Sequence, residues 1–464
     1  MLSRRKFLAL VASSAVSTVA LSACGAQATP TPKAAVLPAN VSMTAWVQAN
    51  QIEEYRSKNI VSAGDALNKE LAGKTVVKVE ATPDSAGWAD YKKRVLLAFE
   101  AKTAPDIVLS GHEDIAPWGD NNYILPRDDM IKKYSSTYDN MIASLWKSCE
   151  YKGKRWAIPQ DCEARPLFWS KPALKKIGWS DADIAGLPEK IKKGEFTLTD
   201  MVETAKLEQD KGAVAKGNGF WTRWSQGNDW YSFYFSFGGE IQDAATGKLI
   251  FVKDAWTKYY QFFYDVFNTN AICRKDIIGA SSSQVVYPGV ATGTVGFYFG
   301  GTWQWADWAK NALANMGGEK FLFDNIGYGL IPASAKGGKP TTVTHPLVYM
   351  VSAQSKFPEI AFRLITGATT DELNTLHAIG STHLAILKTQ ANYPAYKAST
   401  FLQDCTYMLD YSRYIPNHAK FATYDNVAWS ALKGVASGEF KPDAAVKLVE
   451  DELKAQMSND VIFK

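Results

Sequence analysis

The sequence predicts an α/β protein with parallel strands joined by crossover helices, and three neighbouring segments carry that expectation. Thr75-Val76-Val77-Lys78-Val79 is a β-branched run that reads as a strand. Residues 90–102 place Tyr91, Val95, Ala98 and Phe99 at helical spacing, with Leu96 beside them. Asp106-Ile107-Val108-Leu109 then follows Pro105 as a second short apolar run. A strand, a helix and a strand in that order imply a crossover, which pairs the strands in parallel. Such sheets bind ligands outside the carboxyl ends of their strands. Here that edge carries Ser110-Gly111-His112-Glu113. By the same logic the first body strand, 41–45, delivers Trp46 and Gln48 to it.

The remaining elements follow the same alternation. Tyr151-Lys152-Gly153-Lys154-Arg155 is a turn between extended segments, and 171–177 and 198–207 read as helices. A Pro/Gly-rich stretch, 331–340, separates two short apolar strands. Phe440-Lys441-Pro442-Asp443 starts a helix with Val446, Val449 and Leu453 on one face; proline is preorganised for that first turn.

Length and composition set the frame. A chain of 464 residues is long enough for two to four domains, and 46% hydrophobic with 21% charged residues is the balance of a globular protein. Disordered, collagen-like and small disulfide-scaffold classes are excluded. The 15 Trp, 21 Tyr and 22 Phe demand aromatic cores or an aromatic-lined site. The net charge is +4, and removing Arg4, Arg5 and Lys6 with the N-terminal segment leaves about +1. A near-neutral chain has no large footprint for nucleic acid.

The N-terminus reads as an address. Arg4-Arg5-Lys6-Phe7-Leu8 opens an apolar run to Leu21, too short to span a bilayer comfortably and ordered like a secretory signal. It resembles a twin-arginine signal; an ordinary secretory signal is the plainer reading. Leu21-Ser22-Ala23-Cys24-Gly25 resembles a lipobox, so residues 1–23 are expected to be removed and Cys24 lipidated. Several acyl chains, at roughly 0.8 kcal/mol per buried CH₂, anchor stably. Residues 24–40 then form a tether rich in Ala, Thr and Pro. This places the body at the extracytoplasmic face of a membrane. Cys149, Cys162, Cys273 and Cys405 remain, either paired in one of three ways or free and buried; no CxxC pair suggests a zinc ribbon.

Several segments, in order, resemble the extracellular solute-binding proteins of ABC importers, in the sugar-binding family that includes the maltodextrin-binding proteins. They are Pro105-Asp106-Ile107-Val108 leading to His112-Glu113; Tyr151-Lys152-Gly153-Lys154, Ala157, Pro159, Glu163-Ala164 and Lys171; and 292–297 leading to Gly301-Thr302-Trp303. Residues 325–328 with Pro332 and 337–340, then Ser355-Lys356 with 359–362, complete the set. The resemblance implies a two-lobe fold of the periplasmic-binding-protein type with a hinged ligand cleft. It places 41–161 and 326–372 in lobe 1, and 162–325 and 373–464 in lobe 2. It also implies an importer permease as partner, a monomer, no cofactor, no metal and no catalysis.

A sugar offers hydroxyls at its rim and C–H faces above and below, so its site needs carboxylates, Arg forks and aromatic rings. Glu163 matches the family's cleft glutamate, against a surface ion pair. Arg165, where the maltodextrin binders carry an apolar residue, could fork to the ligand or pair with Asp161, itself a candidate. Glu113 sits at the family's acidic contact, against a helix N-terminal carboxylate; Asp114 departs from the arginine found there in the maltodextrin binders. His112 and His345 flank the strand ends. Trp303 matches the stacking tryptophan, whereas Trp305 and Trp308 read as structural. Trp46 and Trp224, the latter in the polar run 221–231, complete the candidates, with the loop Gly380-Ser381-Thr382-His383 weaker. A non-sugar solute is the alternative ligand. A secreted carbohydrate-active enzyme is remote: paired carboxylates such as Asp161 and Glu163 suit a glycosidase, yet no nucleophile elbow, phosphate loop or HExxH motif occurs.

Overall fold

The computed structural model describes residues 37–464; the expected signal, Cys24 and the tether up to residue 36 lie outside the described residues. Strands Asn40–Gln48 (β1), Val76–Asp84 (β2), Ile107–Gly111 (β3), Ala157–Pro159 (β4), Leu167–Ser170 (β5), Phe220–Thr222 (β6), Phe297–Phe299 (β7), Ile326–Gly329 (β8) and Leu347–Val351 (β9) form two sheets. Their orders are β2-β1-β3-β9-β4 and β8-β5-β7-β6. The chain is thus a mixed α/β protein of two lobes, one around each sheet.

β1 runs parallel to β2 in continuous register from Asn40 opposite Val76 to Gln48 opposite Asp84, and parallel to β3. The helix between β2 and β3, Trp88–Glu100, is the expected crossover. It buries Tyr91, Val95, Ala98 and Phe99, the predicted stripe, while Leu96 is 37% exposed. A capping box of Asn50 and Glu53 opens the turn ahead of Tyr55–Leu71. β3 is central and buried along its whole length, as a strand covered on both faces must be.

The second lobe is built on aromatic packing. Trp224, Trp230, Phe263 and Phe267 interlock, with Trp224 centred 4.5 Å from Trp230 and 4.3 Å from Phe267. Trp305 and Trp308 are fully buried, and Trp305 stacks on Phe401 at 4.4 Å. The helix Pro442–Met457 buries Val446, Val449 and Leu453 as the sequence pattern requires. One carboxylate is out of place. Glu208, on Leu198–Asp210, is fully buried, and neither oxygen meets a donor among the described residues. Burial pushes it up to about 8.

Residues 160–166 and 341–346 cross side by side between the lobes. They are joined through hydroxyls: Arg165 N donates to Thr342 Oγ1 at 2.8 Å, and Thr342 Oγ1 to the Arg165 carbonyl at 3.1 Å. Two expected boundaries shift because strand pairing decides them. β8 pairs with β5 in the second sheet rather than opening a return to lobe 1 at 326. Leu387 pairs with Met141, so this part of 373–464 lies against the first lobe. Cys149, Cys162, Cys273 and Cys405 are all buried and free. No helix among the described residues is long and apolar enough to cross a membrane.

Candidate functional site

The polar side chains converge where β3, β6 and β7 end and the crossing segments pass. β3 runs out through Gly111 into the turn His112–Asp114. A Cβ at Gly111 would run into the Glu113 carboxylate, so the missing side chain is what lets that carboxylate fold back against the strand end. β7 ends at Gly300-Gly301, and there a Cβ on Gly301 would occupy the space of the Trp303 ring. Gln304 secures that turn by accepting from Gly301 N at 2.7 Å and donating to Tyr298 Oη at 2.6 Å.

Four charged groups form the centre. Arg165 bonds Glu163 through Nη1 and reaches Asp229 Oδ1 through Nε at 2.5 Å. Arg223, at the end of β6, meets the other oxygen of Asp229 at 2.8 Å. Trp303 lies beside both guanidiniums, 5.1 Å from that of Arg165 and 5.0 Å from that of Arg223. Its indole is also nearly parallel to the His383 ring at 6.2 Å. Burial would raise the Asp229 carboxyl, but the two guanidiniums outweigh it and hold it well below the usual range. Glu163 goes the other way: burial raises it, and Arg165 only partly offsets that.

A second group joins this one through His345. Its backbone N donates to Glu163 Oε1 at 3.0 Å, and its Nε2 donates to Glu113 Oε2 at 2.5 Å. Lys92 bonds the other oxygen of Glu113 at 2.6 Å and also pairs with Asp114 at 2.9 Å. His112 is fully buried 5.2 Å from the His345 ring, and burial pushes its imidazole down to about 4. Its Nδ1 meets Asn417 Oδ1 at 2.8 Å.

Beneath the crossing, Asp161 is enclosed. Arg56 Nη2 donates to it at 2.8 Å and His377 Nε2 at 3.1 Å, while its Oδ1 accepts from Leu347 N at 3.2 Å. Burial would raise this carboxyl; nearby His383 and Arg56 hold it far below its ordinary value.

Of the residues singled out in the sequence, Glu113, Glu163, Arg165, Trp303, His112 and His345 therefore come together. Asp161 is a buried strut paired with Arg56, and Arg165 pairs with Glu163 and Asp229 instead of with it. Trp224 belongs to the aromatic core, 2% exposed, because its indole turns inward from the polar run around it. Trp46 is half-buried at the end of β1, where its carbonyl accepts from Tyr91 Oη at 3.0 Å, outside the charged network. His383 joins as a neighbour of Trp303. Arg223, Asp229, Lys92 and Asn417 were not picked out. The run 221–231 held the signal for Arg223 and Asp229, since charges among so many aromatics need a polar surface to face. Lys92, on the crossover helix, gave none.

A family model described as bacterial extracellular solute-binding protein matches residues 57–374. Among solved structures, the chain is similar to maltose-bound MalE3 of T. maritima: 17% identity, TM-score 0.71, covering 90% of this chain and 100% of that one. The GacH receptor of Streptomyces glaucescens, described unliganded and with acarbose, aligns at 16% identity and TM-score 0.70 over 90% and 99%. Lmo0181 of Listeria monocytogenes, an ABC substrate-binding protein in complex with cycloalternan, aligns at 14% identity and TM-score 0.71 over 92% and 100%. No curated protein sequence matches the chain.

Proposed function

Since this chain belongs to the bacterial extracellular solute-binding proteins, we propose that it is a membrane-anchored receptor that captures a carbohydrate between its lobes and passes it to an ABC importer permease. The observation that carries the reading is the cluster of Glu163, Arg165, Asp229, Arg223 and Trp303 at the strand ends. It combines carboxylates and planar forks for a hydroxyl rim with an indole for a sugar face. Maltose, acarbose and cycloalternan in three structures of this fold point to the same ligand class. The two-lobe division, with 326–329 moved to the second lobe and the stretch around Leu387 to the first, the Cys24 lipid anchor, export through Arg4-Arg5, the monomeric state and the absence of catalysis are parts of the same proposal. A ligand shifts closure only through differential affinity, so it must touch both lobes. In this reading Glu113 and Lys92 touch it from the first lobe and Arg223 and Trp303 from the second.

A thermal-shift screen of mono- and oligosaccharides, amino acids, peptides and organic anions tests this. A sugar at 100 times its Kd adds about 2.7 kcal/mol by mass action and raises the Tm. A non-carbohydrate solute raising the Tm while no sugar does would overturn the sugar assignment. Hydrolysis of a bound oligosaccharide would overturn the receptor reading itself.

Trp303→Ala is expected to weaken binding of the sugar so found by about 1–3 kcal/mol, the scale of burying an aromatic face. Calorimetric titration reads this directly. Unchanged affinity with a lowered Tm would make Trp303 a packing residue.

A further inference from the structure

We infer that His112, Glu113 and His345 form a binding site for a divalent transition-metal cation, with Zn²⁺ the best chemical match. One nitrogen from each imidazole and one Glu113 oxygen lie within 4.8 Å of one another. Small side-chain rotations bring such a set onto a common centre at Zn²⁺ bond lengths of about 2.0–2.2 Å.

The surrounding bonds prepare these atoms as ligands. Asn417 Nδ2 donates to the carbonyls of Ser148 at 2.7 Å and Glu150 at 3.0 Å. Its amide orientation is therefore set, and Oδ1 must accept the proton carried by His112 Nδ1. That places a lone pair on His112 Nε2, which is buried and has no hydrogen-bond partner among the described residues. An imidazole held through one nitrogen and bare at the other is the arrangement that orients metal-binding histidines. Lys92 occupies Glu113 Oε1 and leaves Oε2 facing His345 Nε2, whose proton is released to solvent or moves to Nδ1 as the cation takes its place between them. Two imidazoles and one carboxylate suit Zn²⁺ and its neighbours rather than Mg²⁺ or Ca²⁺, which prefer all-oxygen sets. Three protein ligands also leave a fourth position for water or a ligand oxygen.

The test is Zn²⁺ titration calorimetry and Co²⁺ visible absorption on the full chain in a Cys24→Ser background, stripped with chelator and given the metal alone. One equivalent is expected, with Co²⁺ d–d bands of low-symmetry coordination. His345→Ala and Glu113→Gln should each weaken Zn²⁺ at least about tenfold, the lower bound for losing even an outer partner of a metal ligand. Asn417→Ala, which acts through His112, should weaken it while conserving the stoichiometry. The other buried cluster, Asp161, His377 and His383, is the internal comparison. Absence of stoichiometric binding overturns the inference, as does unchanged affinity in both ligand variants. Binding lost in His377→Gln but kept in His345→Ala would do the same. If one ligand variant fails to fold in chelator, the other still decides. Because Zn²⁺ is titrated without solute, failure of the sugar reading leaves this result separate.

Discussion

Arg165→Met is expected to lower the unfolding free energy by about 3–5 kcal/mol, the cost of stripping one partner from a buried ion pair. Here a single guanidinium serves both Glu163 and Asp229, each almost fully buried. Without it Glu163 keeps, among the described residues, only the His345 amide as a donor, while Asp229 retains Arg223. The larger part of the penalty therefore falls on Glu163. Urea denaturation checks the loss, and adding Glu163→Gln should restore more of it than adding Asp229→Asn. A loss below about 1 kcal/mol in the single variant would mean that the bridge contributes no more than a surface pair. Binding should fall as well, because Arg165 spans from the crossing to the second lobe and lies against Trp303.

Glu208→Met is expected to stabilise the protein, by about 3–5 kcal/mol at pH 9 and much less at pH 4. The sign follows from burial. The folded-state value of about 8 lies above the ordinary 4.5. Between those values the unfolded chain has released the proton that the folded chain still holds. Stability therefore falls as pH rises from about 4.5 to 8 and levels off above that. Methionine has a similar length and removes both the ionisation and the unbonded oxygens. The difference between urea midpoints at pH 5 and pH 9 should be smaller in the variant than in the parent. A variant with the parent's pH slope would sink the assignment.

Much of the fold was legible because apolar spacing decides it. The stripe Tyr91, Val95, Ala98 and Phe99 and the face Val446, Val449 and Leu453 are buried as their periodicity requires. What periodicity does not carry is pairing across long stretches of chain. β8 joins the second sheet and Leu387 the first lobe through long-range backbone bonds that no local pattern announces. In the site, Trp303 was legible through the family resemblance, which matched Gly301-Thr302-Trp303 to a tryptophan after a glycine turn, and the glycines leave room for its ring. Trp224 misled because its neighbours are polar, although a side chain's direction, not its neighbours' chemistry, decides its surroundings. Asp229 was hidden for the same reason in reverse. The partner of Arg165 could not be read either, since Asp161 is two residues from Glu163 in sequence but belongs to Arg56 in space.

The four unpaired thiols among the described residues give the molecule its own set of clocks. Burial raises each of them, Cys149 to about 12 and the others well above their ordinary value. None can be alkylated while the structure around it stays closed. Each labelling rate thus times a separate opening. Cys149 reports on the first lobe, Cys273 and Cys405 on the second, and Cys162, beside the carbonyls of Leu384 and Ala385, on the crossing itself. With no disulfide joining these regions among the described residues, they are free to register different times.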